Sequence, residues 1–202
     1  MKMIGITGGV GSGKTALLSY IREKYNCRII LADEAAHKVK EPGQVCYDRL
    51  VALLTEEVLA KDGTIDNQKM AARIFASGEL LQQVNDIIHP AVRELIQHTI
   101  EEERTLNRHD FLFIEAALLI EDGYAEIVDE MWYIHADEKV RRDRLKASRG
   151  YSDEKINNIM REQLPEEEFY RHCPTVIDNS KQLIHAYKQI DKKLGEELCQ
   201  KL

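Results

Sequence analysis

Four cysteines, Cys27, Cys46, Cys173 and Cys199, are scattered through 202 residues with no C-x-x-C pair. A disulfide framework or a zinc site is therefore not expected, and a reducing cytoplasm is the natural setting. No apolar run approaches the roughly 20 residues of a membrane span. The chain opens directly on a strand-like stretch, without a signal-peptide layout. Positive charge is in deficit: 28 Lys and Arg face 35 Asp and Glu, a formal net charge of -7. Broad nucleic-acid binding leaves a basic footprint and is not expected. A small anion is compatible, because a few basic residues in a cleft can dominate the local field. Neither N-K-x-D nor D-x-x-G occurs, which argues against a guanine-nucleotide switch. Internal repeats and low-complexity segments are also missing. A hydrophobic share of 44% suits a globular chain, and the length suits one α/β domain with insertions.

What is present is organised around Gly8-Gly9-Val10-Gly11-Ser12-Gly13-Lys14-Thr15, which fits G-x-x-x-x-G-K-[ST] at every fixed position. Gly8, Gly11, Ser12 and Gly13 let the backbone curl and turn N–H groups onto a polyphosphate. Lys14 can then reach the β- and γ-phosphates, and the Thr15 hydroxyl can bind Mg²⁺. A helix starting here, through Ala16, points its positive end at the same anion. The context fits. Met3 to Thr7 reads as a buried strand, and Leu17, Leu18, Ile21 and Tyr25 recur at helical spacing.

A second strand, Cys27 to Leu31, ends at Ala32-Asp33. In open α/β sheets the ligand lies beyond the carboxyl ends of the strands. Asp33 can there accept or orient the proton of an attacking hydroxyl, or it can cap a helix from Glu34 to Val39. Residues 34–105 read as mostly helical, broken at Pro42-Gly43 and Asp62-Gly63. This is too long for a simple crossover and suggests a helical substrate-binding lobe. Within it, His89-Pro90 reads as a helix start with Arg93 one turn on. These are either ligand contacts or a helix junction. Phe111 to Glu115 is a continuous apolar run ending in an acid, as a buried parallel strand reads. Glu115 is then either a Mg²⁺ ligand or structural. Met131 to His135 is a fourth strand. After it Arg141, Arg142, Arg144, Lys146 and Arg149 form either a solvated helix face or a lid carrying arginines to the transferring phosphoryl group. Ser152 is a candidate cap, and Gln163-Leu164-Pro165 ends that helix. Thr175 to Asp178 is a fifth strand, with Asn179-Ser180 at its carboxyl end. A last helix with Leu183, Ile184, Tyr187, Ile190 and Leu194 at helical spacing should cover the sheet.

With these pieces in order, the chain resembles the dephospho-coenzyme A kinase family. The resemblance is carried by Thr7 to Lys14, Ala32-Asp33, Glu41-Pro42-Gly43, Asp62-Gly63, His89-Pro90, Leu118-Leu119 with Glu121, Arg144, Gln163-Leu164-Pro165 and Ile177-Asp178-Asn179-Ser180. It implies a P-loop NTP hydrolase fold of α/β class, with a five-stranded parallel sheet flanked by helices, a helical substrate-binding insertion and a lid. The expected division is a core of about 1–33, 106–136 and 166–202, an insertion of about 34–105 and a lid of about 137–165. It implies transfer of the γ-phosphoryl of ATP to the ribose 3′-hydroxyl of dephospho-coenzyme A, the last step of coenzyme A synthesis. Mg²⁺ is the expected cofactor, on a cytoplasmic monomer or weak homo-oligomer. The residue matched by Asp33 is the family's proposed base, and that matched by Arg144 contacts phosphate. His89 and Arg93 fall to the substrate, and Arg141 and Arg149 to the lid. The family usually carries aspartate at Leu31, arginine at His37, proline at Ala117 and phenylalanine at Ile120. A second family lid arginine is expected near Ser148, where Arg149 can serve. The alternatives are a P-loop kinase for another small hydroxyl acceptor, such as a nucleoside or nucleotide, and a non-catalytic nucleotide switch.

Overall fold

The computed structural model describes residues 1–75 and 77–199. Ala76 and the last three residues of the expected 166–202 core segment lie outside them. The chain divides into two compact units, one of residues 1–29 with the chain from 109 onward, the other of residues 30–108.

The sheet holds β1 (Lys2–Thr7), β2 (Cys27–Leu31), β3 (Phe111–Glu115), β4 (Glu130–His135) and β5 (Thr175–Asp178), in the order β2-β3-β1-β4-β5. Its neighbours pair in parallel, with Ile6 beside Glu115, Thr7 beside Tyr133 and His135 beside Asp178. A parallel sheet is covered on both faces, so its central strands are apolar throughout. Ile4, Ile6, Phe111 to Ile114 and Met131 to Ile134 are all buried. The register brings Thr7, Glu115, His135 and Asp178 to one end, where an open α/β sheet binds its ligand.

Helix α1 (Lys14–Lys24) buries Leu17, Leu18 and Ile21, and α9 (Leu183–Cys199) buries Ala186, Ile190 and Leu194. The expected stripe on α9 was wider. Leu183 and Ile184 are exposed instead, and the small Ala186 starts the buried i, i+4, i+8 row. Tyr187 does face inward, stacked on Tyr20 with ring centroids 3.8 Å apart. One turn on, Asp191 accepts from the Tyr20 and Tyr25 hydroxyls and from Lys24 Nζ at 2.6–2.8 Å, tying α9 to the helix that carries the glycine-rich loop.

The second unit holds α2 (Ala32–Lys38), α3 (Tyr47–Leu54), α4 (Asn67–Phe75) and α5 (Gly78–Leu106). Its core is Leu50, Leu54, Val58, Met70, Val84, Ile88, Val92 and Ile96. Asp66 caps α4, accepting from Gln68 N at 2.8 Å, and Ser77 caps α5, accepting from Leu80 N at 3.3 Å. The expected helix start at His89-Pro90 is overturned. Pro90 lies inside the 29-residue α5. Proline gives up one backbone bond there. The apolar stripe of Val84, Ile87 and Ile88 nevertheless runs on through Val92, Ile96 and Ile100. Burial of one continuous face outweighs a single missing hydrogen bond. Among the described residues no helix is long and apolar enough to cross a membrane.

Candidate active site

The loop between β1 and α1 takes its shape from glycines that no other residue replaces. Gly8, Gly11 and Gly13 have φ of 151°, 82° and 92°, a region that strains other residues. Space forbids a side chain as well. A Cβ on Gly8 would meet the Ile134 carbonyl oxygen at 2.5 Å, one on Gly11 the Arg141 carbonyl oxygen at 2.9 Å, and one on Gly13 the Asn179 side-chain nitrogen at 2.5 Å. No side chain caps α1, so the N–H groups of its first turn are left for an anion. Lys14 Nζ donates to Gly8 O at 2.6 Å and stands 3.7 Å from the Glu115 carboxylate. Thr15 is exposed in the first turn of α1. One carboxylate and one hydroxyl make a sparse donor set. They suit Mg²⁺, which keeps several waters and leans on substrate phosphates.

Helix α6 (Glu138–Arg149) follows β4 and lies against this loop, with Leu145 buried 3.2 Å from where a Gly11 Cβ would stand. Arg141 Nε donates to Val10 O at 2.9 Å, and its guanidinium reaches Gln163 Oε1 at 2.5 Å. Burial pushes the Arg141 guanidinium below its usual pKa, partly offset by the neighbouring Tyr133, Glu138 and Glu166; an arginine remains charged regardless. Arg144 donates to Ser12 O at 3.1 Å and to Asn179 O at 2.9 Å. Both arginines thus touch the loop as the chain stands, with α6 docked. Arg149 is elsewhere, its guanidinium 5.8 Å from the Tyr151 ring centroid.

Two contributors were quoted from the sequence without a site role. Gln163, after α7 (Asp153–Arg161), anchors Arg141. Asn179, buried at the end of β5, donates its side-chain amide to Ser12 O at 2.7 Å and its backbone N–H to His135 O at 2.8 Å. Its place at a strand's carboxyl end was the available signal. Beside them Glu166, the first residue of α8 (Glu166–His172), accepts from the Tyr133 hydroxyl at 3.1 Å and lies 2.8 Å from His135 Nδ1. Burial, then the Glu166 carboxylate, holds the Tyr133 hydroxyl well above the usual tyrosine range.

The remaining expected residues belong to the second unit. Asp33 is exposed in the first turn of α2. That helix already begins at Ala32 and its N-cap is Leu31, so Asp33 is not the capping residue. His89 and Arg93 are one turn apart on α5 and share a face. His89 is exposed and Arg93 half-buried.

Comparison with known proteins agrees with this fold. The family model described as dephospho-CoA kinase matches residues 2–185. A dephospho-CoA kinase of Carboxydothermus hydrogenoformans is 33% identical over 94% of this chain and 91% of its own length. That of Geobacter sulfurreducens is 34% identical over 89% and 90%. Among solved structures, a Thermus thermophilus protein is similar at a TM-score of 0.79 and 28% identity, covering 96% of this chain and 97% of that one. The dephospho-CoA kinase from Campylobacter jejuni is similar in fold, with a TM-score of 0.74 at 20% identity over 97% of each chain.

Proposed function

The chain belongs to the dephospho-CoA kinase family, and from that premise we propose how its residues divide the work. The activity is ATP-dependent phosphorylation of dephospho-CoA in coenzyme A biosynthesis. The single observation that carries it is the family match over residues 2–185, which spans both units.

ATP lies with its phosphates on Gly8, Gly11, Ser12, Gly13, Lys14, Thr15 and Ala16. The supporting geometry is a glycine-shaped loop, an uncapped α1 and a lysine folded back on the loop itself. Arg144 and Arg141 offset charge on the transferring group; both are already held at the loop's carbonyls. Thr15 and Glu115 would hold Mg²⁺, which would supply charge neutralisation when bound. Residues 30–108 receive the acceptor, with Asp33, His89 and Arg93 as its contacts. The oxygen of the ribose 3′-hydroxyl bonds to the γ-phosphorus, and the bond from that phosphorus to the β–γ bridging oxygen breaks. ADP leaves with the electron pair, and the hydroxyl proton passes to the Asp33 carboxylate. Positioning and charge stabilisation carry most of the rate enhancement, as expected for phosphoryl transfer.

The test is ADP release from Mg-ATP with and without dephospho-CoA, with Lys14→Ala as the blank. Release that depends on dephospho-CoA and disappears in the variant supports the assignment. Slow release indifferent to the acceptor overturns it.

A further inference from the structure

Asp33, His37 and Lys40 are spaced i, i+4 and i+7, from the first turn of α2 into the turn that follows, where Lys40 N still bonds His37 O at 3.2 Å. A rise of about 1.5 Å per residue strings them along one edge, His37 one turn and Lys40 two turns beyond Asp33. Asn67, the first residue of α4, joins the last two. Its side-chain oxygen accepts from Lys40 Nζ at 2.9 Å, and its amide nitrogen lies 3.4 Å from His37 Nδ1. With that amide donating, Nδ1 is the acceptor and the His37 proton belongs on Nε2. What the cluster has left to offer is mostly donors: the His37 Nε2–H, the second Asn67 amide proton and the remaining Lys40 protons.

Lys40 is half-buried, and among the described residues no carboxylate is within ion-pair distance of it. Burial holds its pKa below the usual lysine range. A half-buried ammonium held by a neutral amide is costly until an anion arrives.

We propose that His37, Lys40 and Asn67 form the subsite for the diphosphate bridge of the acceptor, resting on the reading that Asp33 takes the acceptor's hydroxyl. The chemistry of dephospho-CoA fits. Its 3′-hydroxyl and 5′-diphosphate hang from one ribose, so a hydroxyl on Asp33 leaves the diphosphate one sugar away along the same edge.

The experiment is calorimetric titration of the full chain with dephospho-CoA and with adenosine, which carries the same ribose without phosphate. Wild type, Lys40→Met and Lys40→Arg are compared, each checked for folding by thermal melting; Lys40→Gln replaces Lys40→Met if the latter does not fold. Expected is tighter binding of dephospho-CoA than adenosine in the wild type. Lys40→Met loses about tenfold in dephospho-CoA affinity, the scale of one charge-assisted hydrogen bond, and leaves adenosine unchanged, while Lys40→Arg keeps most of the affinity. Equal binding of both ligands by the wild type overturns the subsite. So does a Lys40→Met effect that is absent, or equal for both ligands. Turnover is read separately. Lys40-dependent binding without phosphorylation of dephospho-CoA removes the functional reading and leaves the subsite standing. Phosphorylation with Lys40-independent binding removes the subsite alone.

Discussion

Lys14, Arg141 and Arg144 of the first unit and Lys40 of the second are held in opposite ways. In the first, Lys14, Arg141 and Arg144 are spent on backbone carbonyls of Gly8, Val10 and Ser12, so the loop and its cations form one braced object. In the second, Lys40 is held by a neutral amide and Asp33 and His37 are exposed on a short helix. A site built from backbone needs particular residues, because only glycine tolerates its dihedrals and close approaches. A site built from side chains on a helix needs only a spacing, which many sequences share.

Five substitutions would break or sharpen that contrast. The largest effect is expected for Lys14→Ala. Turnover should fall by about two orders of magnitude or more, since the lysine neutralises the transferring phosphates. Circular dichroism and the melting curve should stay close to wild type. Near-normal turnover would sink the loop assignment. Next, Asp33→Asn should lower kcat by about 10²–10⁴, the range of a lost general base, with ATP affinity little changed. If only the melting temperature moves, the second unit contributes no proton acceptor through this residue.

Asn179→Asp tests the bracing of the loop. It turns a carboxylate toward the Ser12 carbonyl in a buried site. We expect ADP affinity to fall about tenfold or more, the scale of a buried polar group left without its partner. The loss should ease as the pH is lowered and the new carboxyl becomes a donor. ADP titrations unchanged from wild type would mean that the loop keeps its shape without this tie. The smallest effect concerns glycines remote from any site. Gly195 lies inside α9 with nothing within 4 Å of a Cβ, so Gly195→Ala should raise stability by about 0.5–1 kcal/mol. Gly63 is equally open but has φ of 82°, so Gly63→Ala should cost about 1–2 kcal/mol. Opposite shifts in denaturant midpoint check the pair. Equal shifts would show that crowding, not backbone dihedral, decides the glycines of this chain.

Much of the fold was readable in order. The strands at Cys27–Leu31, Phe111–Glu115 and Thr175–Asp178 fall where their apolar runs do, most clearly the central Phe111–Glu115, because a doubly covered strand has little choice of residue. His89-Pro90 misled, since a local rule about proline lost to a stripe of six buried residues running past it. On α9, spacing alone admitted Leu183 and Ile184, whereas packing chose Ala186, Ile190 and Leu194. The site divided in the same way. Lys14 and the loop glycines were legible as a motif. The anchoring of Arg141 by Gln163, and of Ser12 by Asn179, joins residues 22 and 167 positions apart; no local pattern encodes such pairs.

By itself the sequence determined the phosphate loop, the parallel sheet and the family, because glycine dihedrals, apolar runs and ordered motifs are local properties of the chain. Only the tertiary structure decided which arginines meet the loop, which atom holds Ser12 in place and that a neutral amide holds Lys40. Each of those depends on distances between segments remote in sequence, set by the packing of helices on the sheet or on one another.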